Sequence, residues 1–315
     1  MKKIYYLLFL LPILTCGAQE SQNQSEASAL KESIEKSMNY LASDALEGRK
    51  TGTEGLEKAA VYIETFFENN HVKPFFETYR DSFNLKDLVG YNVVGYIEGQ
   101  DPKLKNEFVV LGGHYDHIGS AKAVNGDTIA NGANDDASGT VAVMEWAKYF
   151  AQTKSNKRSI LFTLYDAEEM GLKGSEHLAK RLKEMKINLY TMINFEMIGV
   201  PRAEGEIMAY VTGYKESNMA DKLNSYAKEE LIGFLPQAKA YNLFKRSDNY
   251  PFYKAFKVPA QAISTFDFTN FDYYHHVDDE VEALDFEHMT TFIQKMLPSL
   301  EGMINSEAKE IKLHE

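Results

Sequence analysis

The chain has 315 residues, of which 44% are hydrophobic and 12% aromatic, and it carries a net charge of −12. So acidic a chain argues against nucleic acid and anionic lipid as partners, while the apolar share supports a single core of one-domain size. Cys16 is the only cysteine; this excludes an internal disulfide and a thiolate metal site, leaving His, Asp and Glu to hold any metal.

In chain order, Met1-Lys2-Lys3 precedes an apolar run, Ile4 to Leu14, that is too short to anchor in a bilayer and has the build of an export signal. Cys16 follows, and then a polar tail from Gly17 to Ala27. This arrangement resembles a bacterial lipoprotein signal; the alternative is cleavage after Ala18 with Cys16 discarded. Residues 1–18 are therefore expected to be a signal, 19–27 a polar tether and 28–315 one folded domain. Either way the mature chain is expected outside the cytoplasm, lipid-anchored at the cell envelope or else secreted, with a membrane as partner only through that anchor.

Leu30, Ile34, Met38 and Leu41 predict a helix over 28–43, and Leu56, Ala59, Ala60, Ile63, Phe66 and Phe67 predict a second over 54–68. Strands are expected at Asn92–Ile97, Phe108–Leu111, Ser159–Tyr165, Thr191–Phe195, Glu206–Val211 and Pro259–Ser264. Their near-continuous hydrophobicity fits strands buried on both faces. Helical stretches fall between them at Ser138–Gln152, Ser175–Met185 and Ser217–Ile232. Asp285–Asn305 closes the chain as a helix that Pro298 is expected to bend. The alternation predicts an α/β fold, a three-layer sandwich of helices on both faces of a mixed, mostly parallel sheet.

In such folds reactive groups gather on loops beyond the carboxyl ends of strands. Polar clusters stand at such places: His114-Tyr115-Asp116-His117, Asn134-Asp135-Asp136-Ala137-Ser138-Gly139, Asp166-Ala167-Glu168-Glu169 and Asn194-Phe195-Glu196. Tyr273-Tyr274-His275-His276 with Asp278-Asp279 comes late. Buried charges need partners or a metal, and mixed imidazole and carboxylate donors suit zinc. A pair of catalytic ions needs a bridging carboxylate, terminal ligands on each side and a free carboxylate as base. These clusters can supply that set.

The same motifs, in this order from about Leu41 to the C-terminus, resemble the co-catalytic zinc peptidases: the secreted bacterial leucyl aminopeptidases, glutamate carboxypeptidase II and the metal-free transferrin receptor. Asn-Asp-Asp-x-Ser-Gly at 134–139 and Glu-Glu-x-Gly-Leu-x-Gly-Ser at 168–175 are the most distinctive. The resemblance implies the zinc-dependent exopeptidase fold, two zinc ions per chain and removal of single residues from peptides with a free N-terminus. By the same resemblance Asp135 bridges the ions, across an Asp135–Asp136 peptide expected to be cis. His114 and Glu196 complete one site; Glu169 and His275 complete the other. Asp116 would orient His114, Glu168 would be the general base and Tyr274 would donate to the developing oxyanion. Many family members have Asp where this chain has Glu196, so a shifted geometry is expected there.

Simpler roles stand beside these. Asp135 and Asp136 lie where a helix N-cap would, and His276 competes with His275 for one ligand position. His71, His117, His177 and His288 are read as structural or surface residues. Ser247 to Phe252 resembles a family segment near the substrate pocket but also reads as a cap and turn. Tyr273, Phe271, Phe266 and Phe268 are candidates for an apolar specificity pocket or for core. Ser43-Asp44 through Gly48-Arg49 recurs in related proteins without an evident physical reason. Two rival functions remain open: glutaminyl cyclase chemistry on the same fold, and a non-enzymatic receptor.

Overall fold

Two helices lead the chain in the computed structural model, which describes residues 14–203, 205 and 207–314. Helix α1 spans Leu14–Leu41 and α2 spans Glu54–Asn69. The Thr53 side chain caps α2 by accepting from the Leu56 amide, and Glu54 and Glu57 occupy its first turn, where the helix dipole favours acids. Residues 1–13, most of the expected signal, lie outside the described residues. The backbone of 19–27, the expected tether, is helical and part of α1. After Gly17 this stretch has no glycine or proline, and its Ala, Gln and Glu residues carry little helix penalty.

Strands β1 (Lys73–Pro74), β2 (Arg80–Leu85) and β3 (Leu88–Ile97) follow, with β1 and β2 both antiparallel to β3. Then come β4 (Glu107–His114), a separate hairpin of β5 (Gly119–Val124) and β6 (Asp127–Ala130), and α3 (Ser138–Thr153). Next are β7 (Ser159–Tyr165), α4 (Lys173–Glu184), β8 (Asn188–Glu196) and β9 (Ala209–Val211). The chain continues through α5 (Met219–Ala227), β10 (Ile232–Gly233), α6 (Pro236–Ala240), α7 (Asn249–Phe256), β11 (Ala260–Ser264) and α8 (Phe286–Asn305). Helix α8 runs on through Pro298.

The sheet order is β1-β3-β7-β4-β8-β11-β9-β10, with β2 beside β3. Its centre, β7-β4-β8-β11, is parallel throughout. Side chains alternate across it. Ile160, Phe162 and Leu164 face the layer that holds α1, α2, α3, α5 and α8, while Leu161 and Tyr165 face α4 and α7. This is the expected three-layer sandwich. Parallel register also brings four carboxyl ends to one edge: His114 pairs with Tyr165, Gly112 with Asn194, and Ser264 with Glu196.

One expected helix is too long. The stretch Ser217–Ile232 forms a helix only over Met219–Ala227; Lys228 then turns into the left-handed region and Ile232 pairs with Ala209 as a sheet edge. The apolar spacing is the same for both outcomes, and the free edge of β9 decides between them.

Candidate metal centre

The centre is built where the parallel strands end. His114 is the last residue of β4 and is fully buried. Its backbone is clamped: the amide donates to Asp136 Oδ2 at 3.2 Å, and its carbonyl accepts from Thr140 Oγ1 at 2.7 Å. Its Nδ1 lies 3.0 Å from the Asp116 backbone oxygen, so that atom carries the proton and Nε2 is left free to face the cavity. The resemblance assigned this orienting task to Asp116, and its backbone oxygen is the nearer of its groups, ahead of its carboxylate. In the structure that carboxylate is 3.6 Å from His114 Nδ1 and instead accepts the amides of Glu168 and Glu169, at 3.1 and 3.4 Å. Asp116 thus orients His114 with its carbonyl and the acidic turn with its side chain.

Asp135 lies between two sets of donors. Its Oδ1 is 3.2 Å from His114 Nε2, which in turn is 3.4 Å from Glu196 Oε1. Its Oδ2 is 3.3 Å from His275 Nε2, which is 3.1 Å from Glu169 Oε1. The Asp135–Asp136 peptide is cis, as expected. The turn is fixed from outside by Asp279, whose two carboxylate oxygens accept the Asn134 and Asp135 amides at 2.7 and 3.1 Å. Asp136 points away from the donor sets. It accepts amides from His114, Gly139 and Met197, tying β4, α3 and the end of β8 together. Gly139 allows this: a Cβ there would sit 2.3 Å from the Phe195 carbonyl.

Glu196, longer than the family's usual Asp, does reach the centre with Oε1. Its Oε2 accepts from Asn194 Nδ2 at 3.0 Å and from the Ser247 hydroxyl. The Ser247 segment therefore belongs to the site rather than serving only as a turn. His275 stands at the centre, whereas His276 lies 3.4 Å from Asp278 and against Tyr273. His177 and His288 are structural, packed on Phe83 and Phe292 respectively. His71 is exposed.

His117 is not a surface residue. It is buried, with Nδ1 3.0 Å from Glu169 Oε1 and 3.9 Å from Asp135 Oδ2. The described residues thus hold two sets of potential ligands that share Asp135: His114-Asp135-Glu196 and His117-Asp135-Glu169-His275, each with its donor atoms within 4.8 Å of one another. The sequence signal was the spacing His114-x-x-His117 at a strand end. The fold supplies what that spacing lacks, a turn bringing both rings inward.

Electrostatics fit a cation. Burial, reinforced by Glu196, Asp248 and Glu169, pushes the Glu168 carboxyl well above the usual range, against the pull of His114. Burial opposes a charged His275, but the carboxylates of Asp135 and Glu169 beside its Nε2 outweigh it and push its pKa up to about 10. His114 is likewise pushed well above its ordinary value by Asp116, Asp135 and Glu196, against burial. His114 Nε2, His117 Nδ1, Glu169 Oε1 and His275 Nε2 are all buried without an aligned hydrogen-bond partner among the described residues. Close approach without alignment is what donors aimed at a common ion show.

A cavity of about 110 Å³ opens at the centre, and Glu168, Asp135 and Glu196 are among the residues that line it. Phe266, Phe268, Leu243, Met197 and Tyr274 form its apolar wall. Two of the four aromatic candidates, Phe266 and Phe268, line it; Phe271 packs with Met197 and Val200 instead. The Tyr274 ring stacks on His275 at 4.1 Å.

The Arg49 segment also finds its reason. The buried guanidinium donates to the carbonyls of Tyr115, Leu41, Asn131 and Gly132, at 2.8, 2.5, 2.6 and 2.8 Å. It staples the loop after β4 to the one before Asp135.

The profile of peptidase family M28 matches residues 92–299. The chain belongs to peptidase family M28. This M28 chain is 40% identical over 113 residues to a probable zinc metalloprotease of Pyrenophora teres f. teres, covering 36% of this chain and 23% of that one. It is 27% identical over 201 residues to leucine aminopeptidase 1 of Neurospora crassa, covering 60% and 48%. The match thus spans about a quarter of the zinc metalloprotease and half of the aminopeptidase. Among solved structures the fold is shared with the LapA aminopeptidase of Legionella pneumophila, with a TM-score of 0.68, 22% identity and coverage of 98% and 81%. It is also shared with a glutaminyl cyclase of Bacteroides thetaiotaomicron bound to N-acetylhistamine, with a TM-score of 0.62, 16% identity and coverage of 90% and 98%.

Proposed function

We propose that this M28 chain is a two-zinc aminopeptidase that removes one residue at a time from peptides with a free N-terminus. The observation that carries the reading is Asp135, which turns one carboxylate oxygen to each of two donor sets. In the proposed assignment His114, Asp135 and Glu196 hold one ion, and Asp135, Glu169 and His275 hold the other. When bound, the ions polarise the scissile carbonyl and acidify the attacking water.

The chain's own residues do the rest. Glu168, lining the cavity with Asp135 and Glu196, accepts the proton of the attacking water and returns it to the leaving amine. Its amide is fixed by Asp116, so the carboxylate is held in place before substrate arrives. The surplus of carboxylates there favours a substrate ammonium group. The side chain of the terminal residue enters the apolar cavity, and Tyr274, on its wall, donates to the developing oxyanion.

A panel of peptides with free and blocked N-termini, read by mass spectrometry, tests this. Release of single residues from free ends only is the expected result. Loss of ammonia from N-terminal Gln would mean cyclase chemistry, and no change would mean a binding protein. Cleavage of aminoacyl anilides should cease with a chelator and return with zinc. Export and lipidation at Cys16 are supported by the leader sequence alone. Among the described residues no helix is long and apolar enough to cross a membrane. Incorporation of labelled fatty acid, absent in Cys16→Ala, tests the anchor.

A further inference from the structure

We propose that His117 is a fourth protein ligand of the ion held by Asp135, Glu169 and His275, which makes the two zinc sites unequal. The inference rests on the two-zinc reading and adds to it a ligand and an order of filling.

A buried neutral imidazole normally donates with one nitrogen and accepts with the other. His117 is 1% exposed, yet neither ring nitrogen has a hydrogen-bond partner among the described residues. Its Nδ1 approaches Glu169 Oε1 to 3.0 Å without the alignment of a hydrogen bond. Both atoms are aimed past each other, as donors to a shared ion are. Tetrahedral zinc with bonds near 2.0–2.2 Å sets its ligand atoms roughly 3.3–3.6 Å apart. The four histidine-to-carboxylate separations among His117, His275, Asp135 and Glu169 run from 3.0 to 3.9 Å, and all four donor atoms lie within 4.8 Å of one another.

The backbone is shaped to hold this ring. The His117 amide donates to the Arg49 carbonyl at 3.1 Å. Gly132 sits at φ 59, and a Cβ there would fall 2.5 Å from the His117 ring. Only glycine leaves room for the imidazole to lie against the Asp135 turn. The His117 and His275 rings meet edge to face at 5.6 Å, with a nitrogen of each turned to Glu169.

The consequence is chemical. Four protein ligands close a zinc site in the manner of a structural ion, whereas three leave a position open. The closed site, with His117, fills first and holds tightly. The open site, with His114 and Glu196, fills second, exchanges more readily and is the one left to meet the substrate carbonyl.

The test is equilibrium metal binding of the full chain in chelator-buffered zinc, with stoichiometry by elemental analysis and cobalt(II) absorption as the second readout. Wild type should bind two ions with separated affinities. Glu196→Gln should bind one ion tightly. Adding His117→Gln to Glu196→Gln should weaken that ion at least ~100-fold, the upper end of what losing an outer partner costs, and should alter the cobalt spectrum. His117→Ala should weaken it equally and regain affinity with added imidazole, which separates ligand loss from misfolding. Unchanged affinity and spectrum in the His117 variants would overturn the proposal. A wild type that binds a single ion would instead sink the dinuclear reading; the same comparison on that one ion would still decide the role of His117.

Discussion

Glu168 and Asp116 divide the work at the mouth of the centre. Glu168 has no close ion-pair partner of its own among the described residues, and its carboxyl is raised mainly by burial, the condition of a poised base. Glu168→Gln keeps the shape and removes the proton acceptor. We expect unchanged zinc content by elemental analysis and a fall in turnover of ~10²–10⁴-fold, the usual share of a general base; turnover close to wild type would remove Glu168 from that role. At this scale the sequence was informative where a motif states chemistry in consecutive residues. Glu168-Glu169 and Asp135-Asp136 each place one group at the centre's donors and one beside them, as the motifs imply. His117 was illegible for a physical reason. Its ring is brought in by Gly132 and Arg49, at 15 and 68 positions' remove, and neither the closeness of Gly132 nor the bond to Arg49 can be read from the spacing of two histidines.

Segments far apart in the chain are held by a few polar staples. Arg49 satisfies four carbonyls at once, including those beside His117 and Asp135. Arg49→Ala leaves them buried and unpaired, so a loss of about 3–5 kcal/mol is expected in denaturant unfolding, the scale of breaking a buried charge network. Arg49→Lys should recover little of it, because an ammonium cannot reproduce a planar fork of donors. A second staple joins α2 to β2: Arg80 donates to Glu57 at 2.7 and 2.9 Å and to Glu64 at 2.6 Å. The Arg80 hydrogen bond holds the Glu57 carboxyl below its ordinary value. A depressed carboxyl adds stability above its unfolded pKa and loses it as pH falls through the folded one. Arg80→Gln should therefore cost about 0.5–1 kcal/mol at neutral pH, since the pair is half-exposed, and nearly nothing once pH falls well below 4. Equal destabilisation at both pH values would count against this ion pair. Elements were legible wherever apolar spacing acted alone, as in α2, α3 and β7. The two-residue strands β1 and β10 were not, because pairing to a neighbouring edge, rather than local pattern, makes them strands.

For the whole molecule, the concentration of acid at one sheet edge couples folding to metal. Asp248 and Asp279, buried close behind the centre, are both pushed up to about 8, first by burial. His275 is pushed up to about 10, its carboxylate partners outweighing burial. All three bind protons more strongly folded than unfolded. For the two acids, the folded state loses ground steadily as pH rises from near 4 towards 8; for the histidine, the stability gained below about 6.5 fades as pH rises towards 10. Both effects point the same way between pH 6 and 8. Protein stripped of metal should therefore melt at a lower temperature at pH 8 than at pH 6. Zinc reverses the slope, because its ligands must shed protons to bind it and binding strengthens as pH rises. With free zinc at 100 times the dissociation constant, each ion adds about 2.7 kcal/mol. Two ions should raise the melting temperature at pH 8 by roughly 10–20 °C, using ~2–4 °C per kcal/mol for a large domain. Calorimetry at both pH values, with chelator and with zinc, checks the sign and the size together. If the stripped protein were the more stable at pH 8, the buried acids and His275 would not be titrating as their surroundings require. If zinc left the melting temperature unmoved, the donor sets around Asp135 would not be a metal centre.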